Sequence, residues 1–201
     1  MRFQTKKSLD KNVLYEEYLK EHGPYFSILE LGCGDGINRF GLYSTDVRPG
    51  SVIIASKYAR KVVAVDRDKN TLLRLKERLS EFGIDNVTTL VGDFRDPSLL
   101  DLDIPSFDII NLDPCSLADI STDHEISMTV KYIVHQSKVL FFTIPLPWRG
   151  GSSQRYWEMI FDSKYDKNCS SREYCKLFSS FFNVSFKPVL RTRAYLRVLK
   201  E

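Results

Sequence analysis

Apolar residues in this chain gather in short runs that tend to end at a glycine, a proline or a carboxylate, and stretches of helical periodicity separate them. Ile28-Leu29-Glu30-Leu31 runs into Gly32-Cys33-Gly34-Asp35-Gly36, Val62-Val63-Ala64-Val65 ends on Asp66, and further runs fall at 87–91, 107–112 and 138–144. Runs without polar alternation predict strands buried on both faces, as in a parallel sheet. Leu72, Leu75 and Leu79 predict a helix over 69–82, with charged residues on its far face and Gly83 past its end. Leu14, Tyr18 and Leu19 predict a short amphipathic helix over 10–22, placed on the sheet edge or near the glycine-rich turn and led into the first strand by Gly23-Pro24. Between the glycines and the second strand the connection is long. Val47-Arg48-Pro49-Gly50 interrupts any helix before one resumes at 51–55, and the loop carrying Asn38, Arg39, Tyr43 and Arg48 is either a ligand cover or a surface insertion. Runs at 182–187 and 194–199, separated by a turn at Pro188, predict a hairpin, so one late strand is antiparallel. The alternation of strand and helix implies an α/β fold with right-handed crossovers.

The strand, glycine cluster and second strand ending in Asp66 form a nucleotide-type site on paper. Glycine lets a ligand approach the backbone, and a carboxylate at the tip of the neighbouring strand can accept from both hydroxyls of a ribose. The spacing excludes a dinucleotide fingerprint: counting from Gly32, the sixth position of G-x-G-x-x-G is Ile37, and the glycines fall instead at 32, 34 and 36. That argues against NAD and FAD.

A chain of 201 residues suits one domain with a sizeable core. The expected division is an N-terminal helical extension over 1–25 and a single domain over 26–201. Lys6, Lys7 and Lys11 precede no apolar stretch of signal-peptide type, and no run approaches the roughly 18 apolar residues of a membrane span, so a soluble, intracellular, cytoplasmic protein with no membrane partner is expected. Cys33, Cys115, Cys169 and Cys175 form no C-x-x-C pair and have no histidine at metal spacing, so free thiols and no metal are expected. Net charge is only +3, but residues 92–125 hold nine acids against Arg95, while 126–201 hold thirteen Lys/Arg against five Asp/Glu. The basic C-terminal half is either a phosphate-facing surface or a solvated one.

The acidic-x-Gly-x-Gly-x-Gly turn resembles motif I of the class I S-adenosylmethionine-dependent methyltransferases, and the resemblance covers residues 26–199. It implies a Rossmann-like, doubly wound, mostly parallel seven-stranded sheet with an antiparallel C-terminal hairpin strand, and S-adenosyl-L-methionine as cofactor. By the same resemblance Gly32, Cys33, Gly34, Asp35 and Gly36 wrap the methionine end, Glu30 helps place its amino group, and Asp66, followed by Arg67, holds the ribose. Val91-Gly92-Asp93-Phe94 is similar to the third motif, where Asp93 accepts from the adenine amine and Phe94 packs on its ring. Phe107-Asp108-Ile109-Ile110-Asn111-Leu112-Asp113-Pro114 is similar to the fourth, which implies Asn111 against cofactor and acceptor, and Asp113 and Pro114 at the reacting centre.

Nucleic-acid amino methyltransferases carry Asp/Asn/Ser-Pro-Pro-aromatic in this turn, and the chain keeps only its first two positions in Asp113-Pro114-Cys115-Ser116. Leu112-Asp113-Pro114 is most similar to the tRNA guanine-N2 dimethylating enzymes, again without their aromatic. Pro114-Cys115 also resembles the carbon-5 cytosine enzymes, whose thiolate attacks the ring. Their accompanying Thr-Cys or Glu-Asn-Val is missing, so Cys115 reads as a small residue lining the acceptor pocket. Downstream, Pro145 to Trp157 interleaves aromatics with arginines, which suits base stacking and phosphate contact by Trp148, Arg149 and Arg155. Trp157, with Ile160 and Phe161 at helical spacing, reads as core. His22, His124 and His135 read as structural or exposed. The expected activity is methylation of a nucleic-acid base, RNA before DNA. The alternatives are small-molecule or protein methylation, and a cofactor-binding but non-catalytic methyltransferase-fold protein that serves as a partner subunit or RNA chaperone.

Overall fold

The computed structural model describes residues 2–39, 47–114, 116–147, 152–191 and 195–200. Helices α1 (Arg2–His22), α2 (Ser51–Ser56), α3 (Lys69–Glu81), α4 (Met128–Gln136), α5 (Ser152–Phe161) and α6 (Ser171–Phe182) alternate with strands. The principal strands are β1 (Tyr25–Leu31), β4 (Ala59–Asp66), β5 (Val87–Val91), β6 (Ile109–Leu112), β9 (Val139–Pro145), β10 (Lys187–Arg191) and β11 (Tyr195–Lys200). Short pairs β2 (Ile37–Arg39) with β3 (Val47–Pro49), and β7 (Ser121–Thr122) with β8 (Glu125–Ile126), form separate hairpins. The seven principal strands run in the order β10-β11-β9-β6-β1-β4-β5. The expected seven-stranded, mostly parallel sheet with antiparallel C-terminal strands is therefore present.

The chain divides into two compact units, residues 1–93 with 107–109, and residues 94–106 with 110–201. In the first, β1 pairs in parallel with β4, and β4 with β5. Ile28, Leu29, Leu31 and Val62 to Val65 are buried, and α2, with buried Val52 to Ala55, and α3, with buried Leu72, Leu75 and Leu79, pack against these strands. These leucines are the helical face the sequence predicts, and Asp68 caps α3 by accepting from the Asn70 amide. Asp108 works as a backbone clamp: its Oδ2 accepts from the amides of Phe26 (2.7 Å) and Ser27 (3.1 Å).

In the second unit β11 lies antiparallel to both β9 and β10, with Arg197 opposite Thr143. Two sequence expectations fail here and at the N-terminus. The helix expected over 10–22 starts at Arg2, because its polar first half leaves no apolar periodicity to read. Phe182 does not open a strand. It closes α6, whose buried residues Tyr174, Cys175, Phe178 and Phe182 are at helical spacing, and Asn183 in left-handed conformation (φ 52°) ends the helix. The strand begins later, at Lys187, and runs through Pro188. An outermost strand tolerates a residue with no N–H to donate.

Trp157 anchors this unit. Fully buried on α5, it meets the rings of Phe161, Tyr165, Tyr174 and Phe178 at centroid distances of 4.6–5.6 Å. Trp157→Ala should lower the unfolding free energy by about 3–5 kcal/mol, through lost transfer energy plus an unfilled cavity. Urea titration of the two proteins measures this, and a loss under about 1 kcal/mol would mean that the ring cluster is not the core of the unit.

Candidate functional site

The residues singled out from the sequence lie in both units. In the first, β1 and β4 end at the same edge, Leu31 beside Val65, so the turn after β1 emerges next to Asp66. The amides of Gly32 (3.0 Å) and Cys33 (3.2 Å) both donate to the Val65 carbonyl and fold the turn across the end of β4. The Gly34 amide then donates to Asp66 Oδ2 at 3.1 Å, the Asp68 amide to Oδ1 at 3.0 Å, and the Gly92 amide to the Asp66 carbonyl at 3.1 Å. A carboxylate offers about four acceptor positions. Two amides therefore orient half-buried Asp66 without saturating it.

Gly34 has φ +61° and nothing within 4 Å of where a Cβ would stand. The space a side chain would take there is open, beside the Asp66 carboxylate. Gly36, at φ +79°, has another reason to be glycine: a Cβ there would come within 2.6 Å of Leu75 Cδ1. Asp35 is held by α3, with Arg78 Nη1 2.9 Å and Arg74 Nε 3.8 Å from its Oδ2, and Arg78 also donates to the Asp35 carbonyl. The two arginines are one turn apart on the polar face of α3, a pairing the sequence pattern did not announce.

Glu30 is fully buried. Tyr15 Oη donates to its Oε1 and Ser51 Oγ to its Oε2, each at 2.7 Å. The carboxylate stands two residues before Gly32 and is enclosed by the protein. Burial pushes the Cys33 thiol well above the ordinary thiol range, and the Asp66 and Glu30 carboxylates push it further. It is a protonated packing group. Arg67 is exposed and Asp93 half-buried.

In the second unit Phe94 and Pro114 are buried and Asp113 is half-buried. Asn111 is 1% exposed, and its amide oxygen accepts from Arg197 Nη2 at 2.8 Å. Arg197, equally buried, also donates from Nη1 to Thr143 Oγ1 at 3.1 Å and lies over the Phe141 ring at 5.0 Å. Sequence reading missed Arg197, although a lone charge within Tyr195-Leu196-Arg197-Val198-Leu199 was the available signal. The stretch after Asp113-Pro114 is fixed by Asp119, whose Oδ2 accepts from the Ser116 amide (2.7 Å) and hydroxyl (2.9 Å). The β7–β8 hairpin turns through Asp123 and His124, both at positive φ, and α5 meets it: Tyr156 bonds to Ser121, and its ring lies 5.0 Å from the His124 ring. Arg155 is exposed on α5. Cys115, Trp148 and Arg149 lie outside the described residues. Among the described residues, Cys33, Cys169 and Cys175 are free thiols and no group of three metal-type side chains converges.

No protein-family model and no curated protein matches the chain. Solved structures do. An rRNA methylase from Streptococcus thermophilus superposes with TM-score 0.53 at 14% identity, covering 94% of both chains. A putative methyltransferase from Streptococcus mutans in complex with SAH gives 0.55 at 14%, covering 93% of this chain and 94% of that one. A 16S rRNA N2 methyltransferase from T. thermophilus, in complex with AdoMet and guanosine, gives 0.52 at 17%, covering 94% of this chain and 42% of that one. The chain has the fold these proteins share.

The raised Cys33 value has a consequence for stability. Above about pH 8.5 an unfolded thiol releases its proton while the folded Cys33 keeps it, so the unfolded state binds fewer protons and stability falls as pH rises. Melting temperature should therefore drop less between about pH 7.5 and about pH 10 in Cys33→Ala than in the natural protein. Parallel slopes in a thermal melt series would show that the thiol is not the buried group described.

Proposed function

We propose that this chain is an S-adenosyl-L-methionine-dependent methyltransferase acting on a base in nucleic acid, RNA in preference to DNA. The observation that carries the cofactor reading is the open backbone at Gly34 hydrogen-bonded to a carboxylate, Asp66, that keeps acceptor positions for a ribose. The residues fit the cofactor: Asp66 takes the ribose hydroxyls, Gly32 to Gly36 give the methionine end access to backbone, and Asp93 and Phe94 serve the adenine. When bound, the cofactor supplies an electrophilic methyl group on a sulfonium.

The chain's own task is to bring a weak nucleophile into line and manage its proton. Asp113 accepts an N–H of an exocyclic base amine and so orients the nitrogen lone pair. Pro114 stiffens the turn, and Asn111, fixed by Arg197, supports it from below. The RNA reading is supported by two structural neighbours described as acting on rRNA, and by the exposed cations Lys164, Lys167, Arg172, Lys176 and Lys187 of the C-terminal unit. Cations of this kind bind phosphate in a salt-dependent way. Arg155, with Trp148, Arg149 and Cys115, is assigned to the acceptor side.

Two substitutions separate binding from chemistry. Asp66→Ala removes charge-assisted bonds of roughly 1.5–3 kcal/mol each, so calorimetry should show affinity for S-adenosylmethionine reduced at least about tenfold. Asp113→Ala should abolish transfer of labelled methyl to unmethylated RNA while leaving cofactor affinity nearly intact. Unchanged affinity in the first variant removes Asp66 from the site. Label appearing in protein or small molecules and not in RNA would overturn the assigned substrate class.

A further inference from the structure

Helix α1 reaches the base of the glycine turn through one buried bond. Along its C-terminal half Asn12, Tyr15 and Leu19 form a single buried face at spacings of three and four residues. Tyr15 is fully buried, and its hydroxyl is spent on Glu30 Oε1. Asn12 Nδ2 donates to the Pro49 carbonyl at 3.2 Å, and Glu16 accepts from Lys57 at 3.3 Å. The other oxygen of Glu30 is taken by Ser51, the first residue of α2, whose neighbour Gly50 donates from its amide to the Gly36 carbonyl at 2.8 Å. Both ends of the glycine turn are thus tied to one carboxylate. Glu30 precedes the turn, and the Gly36–Gly50–Ser51 link returns from its far side to the same group.

A carboxylate buried without solvent depends on such donors. Hydroxyl bonds to an ionised group are among the stronger ones in a protein interior, and removing one leaves a charge short of its solvation. The group that gives way is then the backbone carrying Glu30, which enters Gly32 two residues later. We propose that Tyr15 and Ser51 are positioning residues for S-adenosylmethionine: through Glu30 they hold the glycine turn in its ligand-binding shape, and they make docking of α1 and binding of the cofactor two sides of one equilibrium. This rests on the cofactor reading above and adds to it a role for the N-terminal helix. By linkage, if detaching α1 weakens cofactor binding, cofactor binding strengthens the attachment of α1 by the same factor.

The test uses the full chain and S-adenosylmethionine as probe, at a temperature well below melting. Tyr15→Phe removes only the hydroxyl, and Ser51→Ala removes the other donor. Each should raise the calorimetric Kd about three- to tenfold, and the pair by more, while Ser51→Thr, which keeps a hydroxyl, should restore affinity. In the natural protein, adding cofactor should slow amide exchange over residues 12–22, and Tyr15→Phe should blunt that protection. A purely structural bond would lower the melting temperature with Kd unchanged, and that result overturns the proposal. A natural protein that fails to bind S-adenosylmethionine overturns the cofactor reading itself. Natural binding with unaffected variants overturns only the role given to Tyr15 and Ser51.

Discussion

Parallel pairing of β1 with β4 is the constraint on which the candidate site depends. Two parallel strands end at the same edge of a sheet, and the register that sets Leu31 beside Val65 leaves Gly32 to Gly34 as the first residues past that edge, next to Asp66, the last residue of β4. The geometry of the glycine turn follows from this alignment. The amides of the turn find the Val65 carbonyl and the Asp66 carboxylate because no residue intervenes, and the left-handed φ values at Gly32, Gly34 and Gly36 are what allow the chain to turn over the strand ends in so few residues. A shift of one residue would turn Glu30 and Asp66 to opposite faces and remove the site.

Polar groups inside an apolar fold carry the rest of the positioning. Glu30, Asn111 and Arg197 are essentially without solvent, and each is hydrogen-bonded to named partners that belong to other elements. Burying such groups costs several kcal/mol unless their bonds are made, so a misplaced helix or strand would be penalised where the site is built. In the first unit this specificity acts on the glycine turn, and in the second on the start of the Asp113-Pro114 turn.

Local features were legible in the sequence and non-local ones were not. The β1 run, the glycine turn, the Asp66 tip and the leucine face of α3 are written in consecutive or periodic residues, and they stand where the pattern placed them. Two partners of Glu30 lie 15 and 21 residues away in sequence, one hydroxyl on α1 and one at the first residue of α2, so no local pattern reveals them. Pro188 read as a turn because proline is excluded from central strands, a rule that relaxes at the sheet margin where β10 lies. The β7–β8 hairpin escaped notice because its turn uses Asp123 and His124, without the glycine that usually marks such a reversal. Arg197 was visible as an oddity in an apolar strand, but its contact with Asn111 exists only once β11 has returned to the sheet.

The position of a bound ligand decides whether Asp66 and the glycine turn form one site. A crystal structure of the protein with S-adenosylhomocysteine should place both ribose hydroxyls within hydrogen-bond distance of the Asp66 carboxylate, with the homocysteine moiety against the backbone of Gly32 to Gly34. A ligand bound elsewhere, or a ribose that leaves Asp66 in water, would contradict this single site.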